Sequence, residues 1–137
     1  MPTSTFEIGL ALANKLHGQH AGDQMIAALQ KICPDYIKMN MEWAYAGITA
    51  RPDLPIETRV LIVLACCVCR DYPVQVRAYA EAALGLGVTR EAVVETVLQT
   101  LPIAGFPAVT NALLALDATV AARATPAPPG SPGDGRS

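Results

Sequence analysis

This sequence predicts an all-α domain, on the strength of three observations. Apolar residues recur three and four apart over most of the chain, residues that start and stop helices punctuate those runs, and strand signals are almost absent. A length of 137 residues fits one compact domain with a hydrophobic core and is too short for two ordinary ones. The helical domain is assigned to residues 1–123 and a tail to residues 124–137.

Each helix has a local reason. Ser4 and Glu7, three apart, can satisfy each other's orphan amides and open a first helix that closes at Gly18. Asp23 caps a short second helix running to about Lys31. Pro34 fits the first turn of a third helix, where its missing N–H costs nothing, and Gly47 is expected to end that helix in a left-handed turn. The segment ARPDLP reads as a loop. Pro55 then opens the most apolar helix, Pro55 to Arg70, which is expected to be buried all round. Tyr72 and Pro73 break the chain before a helix over Val74 to Leu86, closed by Gly85 and Gly87. Thr89 caps a helix from Arg90 to Leu101, with Glu91 near its positive end. PIAGFP interrupts the pattern, and a last helix runs from about Ala108 to Ala122. From Ala124 onward the chain is rich in proline and glycine, has no large apolar residue, and is expected to be disordered.

Composition narrows the function classes. An apolar fraction of 52% with 16% charged residues is high for a soluble protein, so part of the apolar surface is expected to meet another copy in a homo-oligomer. Ten basic against twelve acidic residues, with no Lys/Arg cluster, argue against nucleic acid as a partner. The longest uncharged apolar run without a helix breaker, Val60 to Cys69, is about half of a bilayer span, so no membrane is expected. The N-terminus lacks the basic region and cleavage site of a signal peptide, which suggests a cytoplasmic protein whose four cysteines are reduced.

Three motifs carry a resemblance when taken jointly. The first is Arg51, Pro52 and Leu54, followed by Glu57 and Arg59 at the start of an apolar helix. Ala82, Ala83 and Leu84 then lead into Gly87, Val88, Thr89 and Glu91. Gly105, Pro107, Asn111 and Ala112 follow, with Ile103 ahead of them. With Gly9, Gly18 and the aromatic run Trp43 to Tyr45 in order, residues 5 to 120 resemble the carboxymuconolactone decarboxylase family. The resemblance implies a six- or seven-helix, alkylhydroperoxidase D-like fold that assembles as trimers or hexamers, with a small-molecule pocket near subunit contacts. The family's namesake removes carbon dioxide from a carboxylated unsaturated lactone, and its peroxidase relatives reduce hydroperoxides through a C-x-x-C-x-x-x-H site with an upstream glutamate. Alignment on Ala82, Ala83 and Leu84 places Tyr79 at the family histidine and Val60 at the usual glutamate, while Ile103 replaces a tyrosine. The peroxidatic cysteines would fall at Tyr72 and Gln75.

Several side chains are candidates on chemical grounds. The Tyr79 phenol can hydrogen-bond a developing enolate, or it is an ordinary half-buried aromatic; both readings stand. Gln75, one turn earlier on the same face, can orient a ligand carbonyl, and Tyr72 can reach the same space. Arg51 and Arg59 can clamp a substrate carboxylate, although Arg59 reads rather as a structural pair with Glu57 or Asp53. If Val60 faces the pocket, then Val63, Leu64 and Cys67 share its face at helical spacing. Cys66, Cys67 and Cys69 include a C-x-x-C but lie within an apolar helix, where reduced cysteine packs as a small hydrophobe, so core filler is the favoured reading. Trp43 and Tyr45 are either core or a ring-stacking surface, with core favoured for Trp43. His17 and His20 read as surface residues, and no metal or cofactor is expected.

The leading expectation is a small-molecule lyase acting on a carboxylated or 1,3-dicarbonyl-type cyclic metabolite, by decarboxylation or cyclisation, in a specialised pathway. Tyr79 would act at the reacting centre, with Arg51, Tyr72 and Gln75 among the substrate contacts. A catalytically silent oligomeric binding protein on the same scaffold is the alternative. A thiol oxidoreductase working through Cys66 and Cys69 is the third.

Overall fold

The structure, a computed structural model, describes residues 3–18 and 22–124. Among them are helices α1 (Thr5–His17), α2 (Gly22–Ile32) and α3 (Pro34–Met39), which continues directly into a π-helix (Asn40–Thr49). Then come α4 (Ile56–Cys69), α5 (Pro73–Gly85), α6 (Arg90–Gln99), the single turn α7 (Leu101–Ala104) and α8 (Phe106–Ala124). With α3 and the π-helix taken as one rod and α7 as a turn, seven helices make the all-α domain, and no strand occurs among the described residues. His20 and the tail beyond Ala124 lie outside the described residues.

Local chemistry sets most boundaries. The Ser4 hydroxyl accepts from the Glu7 amide at 3.2 Å while the Glu7 carboxylate accepts from the Ser4 amide at 2.8 Å, closing the expected capping box. Thr89 accepts from the Ala92 amide at 3.1 Å and starts α6, which ends at Gln99, two residues before the expected Leu101. Gly87 supplies the positive φ of +91° that turns the chain out of α5, and Gly105 supplies +84° between α7 and α8. α8 begins at Phe106, two residues earlier than its pattern suggests, because Pro107 fits a first helical turn. One non-glycine residue also adopts a positive φ, Asp71 at 53°, in the turn from α4 to α5. The Asn111 amide of α8 donates to its carboxylate at 3.0 and 3.3 Å and so ties the far helix to that turn.

The third helix departs from expectation at its end. It runs past Gly47 to Thr49 without a left-handed residue, and winds as a π-helix, with the Ala50 amide donating to the Tyr45 carbonyl five residues back. The Thr49 hydroxyl donates to the Ala44 carbonyl at 3.0 Å and helps close this wider coil.

Two apolar clusters hold the domain. The larger is built from α4, α5, α6 and α8 around Leu64, Val68, Ala80, Ala83, Val97 and Leu116. The smaller joins α1 to the α3/π-helix rod through Ala13, Ile37 and Met41, with Tyr45 packed against both clusters. Gly9 permits that junction: its Cα passes so close to the Met41 backbone that a side-chain carbon there would lie 2.6 Å from the Met41 carbonyl carbon.

Two burial expectations fail. α4 is not buried all round: Val60, Leu64, Cys67 and Val68 face the core, whereas Ile62, Cys66 and Cys69 are exposed. An apolar helix on a domain of this size still needs only one stripe of core contact. Trp43 is 72% exposed, because the inward row of its helix is Ile37, Met41 and Tyr45, spaced by four, and position 43 falls on the far side.

Candidate functional site

Val60, Val63, Leu64 and Cys67 share one face of α4, as their helical spacing anticipates. Val60, Leu64 and Cys67 are buried, Val63 is half-buried, and Tyr79 of α5 packs against the core cluster to which that face belongs. At the family glutamate position, therefore, stands an aliphatic side chain 1% exposed, with no group able to accept a proton.

Two side chains that sequence reasoning had not joined to Tyr79 complete the site. Tyr45 arrives from the π-helix, and its hydroxyl donates a hydrogen bond to the Tyr79 oxygen. His17 arrives from the last turn of α1. Its ring lies edge-to-face with Tyr79 at a centroid distance of 5.1 Å and an interplanar angle of 84°, and with Tyr45 at 6.2 Å and 80°. His17 is thus part of a half-buried aromatic cluster, which corrects its reading as a surface residue. The row Ile37, Met41, Tyr45 held the signal for Tyr45. For His17 there was none, since its position depends on how α1 crosses α5 and the π-helix.

Electrostatics in this cluster favour neutral phenols. Burial raises the Tyr79 pKa, the neighbouring Cys67 adds to the rise, and the hydrogen bond from Tyr45 opposes it by favouring the ionised form. Tyr45 is pushed up further, first by burial, then by Tyr79 and by being the donor in that hydrogen bond. The Cys67 thiol is also raised, by burial and then by Cys66, so at neutral pH it is protonated and a poor nucleophile. Both tyrosines are hydrogen-bond donors at neutral pH, and neither is a ready base.

The remaining candidates lie elsewhere. Arg51 lines a surface cleft of about 390 Å³ with Ile8, Leu12, Lys15, Leu54 and Ile56, and its guanidinium stands 3.7 Å from the Asp53 carboxylate. Tyr79 is not among the lining residues of that cleft. Arg59 donates to the carbonyls of Ile48 and Leu54, each at 3.3 Å, bracing the loop between the π-helix and α4. That corrects the expected pairing with Glu57 or Asp53, since the loop turns its carbonyls toward the guanidinium. Tyr72 is exposed, accepts a hydrogen bond from Arg70 at 3.1 Å and lies beneath that guanidinium at 5.6 Å, while Gln75 is exposed on the first turn of α5. Cys66 and Cys69 are exposed, so of the C-x-x-C region only Cys67 fills core as expected. No group of three His, Cys, Asp or Glu side chains placed to hold a metal occurs among the described residues. No helix there is long and apolar enough to cross a membrane.

The domain is all-helical, with a tyrosine-centred cluster where α1, the π-helix and α5 meet. The chain belongs to the carboxymuconolactone decarboxylase family, whose sequence model matches residues 34–118, more than half of its length. Membership supports a function of the carboxymuconolactone decarboxylase or alkylhydroperoxidase kind. A comparison with curated proteins finds no match. The matched span takes in the rod, α4, α5, α6 and most of α8, and so includes Tyr45, Val60, Cys67 and Tyr79. It leaves out α1 and His17.

Proposed function

We propose that the protein is a lyase acting on a carboxylated or 1,3-dicarbonyl cyclic metabolite, with Tyr79 as the proton-donating group. The observation that carries this reading is a half-buried, protonated Tyr79 at the position the resemblance gives to the family histidine, packed against the apolar core cluster that includes Val60, Leu64 and Cys67 and held by a hydrogen bond from Tyr45. In a decarboxylation, the bond to the carboxylate carbon breaks and its electron pair moves onto an adjacent carbonyl as an enolate, releasing carbon dioxide. An apolar wall favours that step by stripping water from the departing carboxylate, and a phenol donates to the enolate where charge develops. The peroxidase mode fits less well. Its two cysteine positions are Tyr72 and Gln75, and Cys67, the thiol nearest Tyr79, is kept protonated by burial. A homo-oligomer, trimer or hexamer, accords with the apolar residues this chain exposes, among them Ile62, Ile103, Phe106 and Leu114.

The test is carbon dioxide release from a panel of cyclic β-keto acids and carboxylated butenolides, comparing the wild type with Tyr79→Phe. The expected result is a fall in kcat of about 10²- to 10⁴-fold with helicity unchanged. Equal turnover by the two proteins would remove Tyr79 from the chemistry. Absence of turnover by the wild type across the panel would favour a silent binding scaffold.

A further inference from the structure

Tyr79 has a difficulty that its own surroundings do not resolve. Once it gives its proton to an enolate it is a phenolate in an apolar site, and burial disfavours that charge. Decarboxylation also consumes one proton per turnover, which must come from water. Tyr45 lowers the first cost through its hydrogen bond, yet it is itself a half-buried phenol whose burial pushes its pKa up, and it is a poor source for resupplying the proton.

His17 answers both needs. It closes α1, where the helix dipole favours a cation, and like Tyr79 it is half-buried, so water can reach it. Its ring contacts both phenol rings, and of the site's side chains it is the one whose ordinary pKa lies near neutrality. The family places its histidine on α5, at the position held here by Tyr79. In this chain an imidazole reaches that tyrosine's ring from a helix outside the matched span.

We infer that His17 is the proton partner of Tyr79, a positioning residue that carries a proton from water to the phenolate and so stands in for the missing α5 histidine. This rests on the lyase reading for its purpose, though not for its detection. The steps balance. The carboxylate loses carbon dioxide and leaves an enolate, the Tyr79 hydroxyl protonates the enolate, the His17 imidazolium reprotonates the phenolate, and neutral His17 takes a proton from water. The net change is one substrate carboxylate and one proton converted to product and carbon dioxide. Tyr45 from the π-helix and Cys67 from α4 are titratable groups at the pair, and the π-helix also carries Glu42. α5 also carries Arg77 and Glu81 on either side of Tyr79 along the chain, and α2, packed on α1, carries Asp23.

The experiment follows the His17 ring and the labelled ζ-carbon of Tyr79 by NMR as pH is varied, in the full chain, for wild type, Tyr79→Phe and His17→Phe. His17→Phe keeps an aromatic ring against the tyrosines and removes the nitrogens. The expected results are a Tyr79 ζ-carbon step at the His17 midpoint that His17→Phe abolishes, and a His17 midpoint displaced by about half a pH unit or more in Tyr79→Phe. An unmoved midpoint together with a Tyr79 signal blind to His17 overturns the inference. On any panel substrate the wild type turns over, kcat should decline as pH rises through that same midpoint, and in His17→Phe it should be about tenfold lower or less and lack this limb. An unchanged pH profile in His17→Phe also overturns the inference. A wild type inactive on every panel substrate defeats the lyase reading alone, and the NMR result then decides the His17 pairing.

Discussion

Gly9→Ala is the perturbation that the geometry judges most severely. The added carbon would meet the Met41 backbone, 2.6 Å from its carbonyl carbon, 3.0 Å from its Cα and closer still to its oxygen. These are backbone atoms and cannot rotate away. Carbon atoms pack comfortably at about 3.5–4.0 Å, so α1 and the π-helix would have to part by about 1 Å. Forcing a methyl into a tight contact costs about 1–3 kcal/mol, and alanine's helix propensity returns about 1 kcal/mol of that. A net loss of up to about 2 kcal/mol corresponds to a fall in Tm of up to about 8 °C for a domain of this size. Gly85 provides the control. It ends α5, nothing lies within 4 Å of a carbon added there, and Gly85→Ala should therefore gain about 0.5–1 kcal/mol from propensity alone. The assay is thermal and urea unfolding of both variants, followed by circular dichroism. If Gly9→Ala stabilised the protein as Gly85→Ala should, the close crossing of α1 on the π-helix would be wrong, and with it the route by which His17 reaches Tyr45.

Other outcomes follow from the same structure. The tyrosine contribution to stability should be flat below the ordinary tyrosine pKa of 10.0 and fall as pH rises beyond it, because the unfolded chain then ionises phenols that the fold keeps neutral in Tyr45 and Tyr79. Tyr45→Phe, compared with wild type by urea unfolding across alkaline pH, should make that fall shallower. In native-state thiol titration, Cys67→Ser should leave the number of reactive groups unchanged, whereas Cys69→Ser should lower it by one. Asn111→Ala removes the amide that holds the Asp71 carboxylate and should cost about 1 kcal/mol in urea unfolding, a modest value because the bond is exposed.

Much of the fold was legible because helix ends are written in local chemistry. Ser4 with Glu7, Thr89, Pro73 and Gly87 each act within four residues of themselves, and each does what its side chain or backbone permits. Gly47 misled because a glycine can end a helix without having to, and the switch to π winding that carries the chain past it has no comparable local mark. Within the site, the row Val60, Leu64, Cys67 was readable from its spacing along one helix, and Tyr79 from the motif around Ala82 and Ala83. Arg59 was misassigned because its partners are backbone carbonyls, which no side-chain pattern announces. Which residues met across helices was not readable at all. The approach of His17 to Tyr79 depends on a crossing that Gly9 permits, 62 residues of chain separating the two rings.

The replacements at positions 60 and 79 have different consequences for the chemistry. A valine at the position the resemblance gives to the glutamate puts an uncharged, fully buried side chain there, which on the proposed reading accords with loss of carbon dioxide from a desolvated carboxylate. A tyrosine at the histidine position keeps a donor there but, once the proton is given, leaves a charge that an apolar site tolerates poorly. On the proposed reading, a phenol and an imidazole in contact, both half-buried, would divide between them what one histidine is expected to do in the family pattern, donation to the substrate and resupply of the proton. The division has a measurable consequence. A protein using one histidine for both tasks would lose both together when that residue is replaced, whereas here Tyr79→Phe should lower donation at every pH and His17→Phe should slow resupply and leave a rate that no longer follows the imidazole.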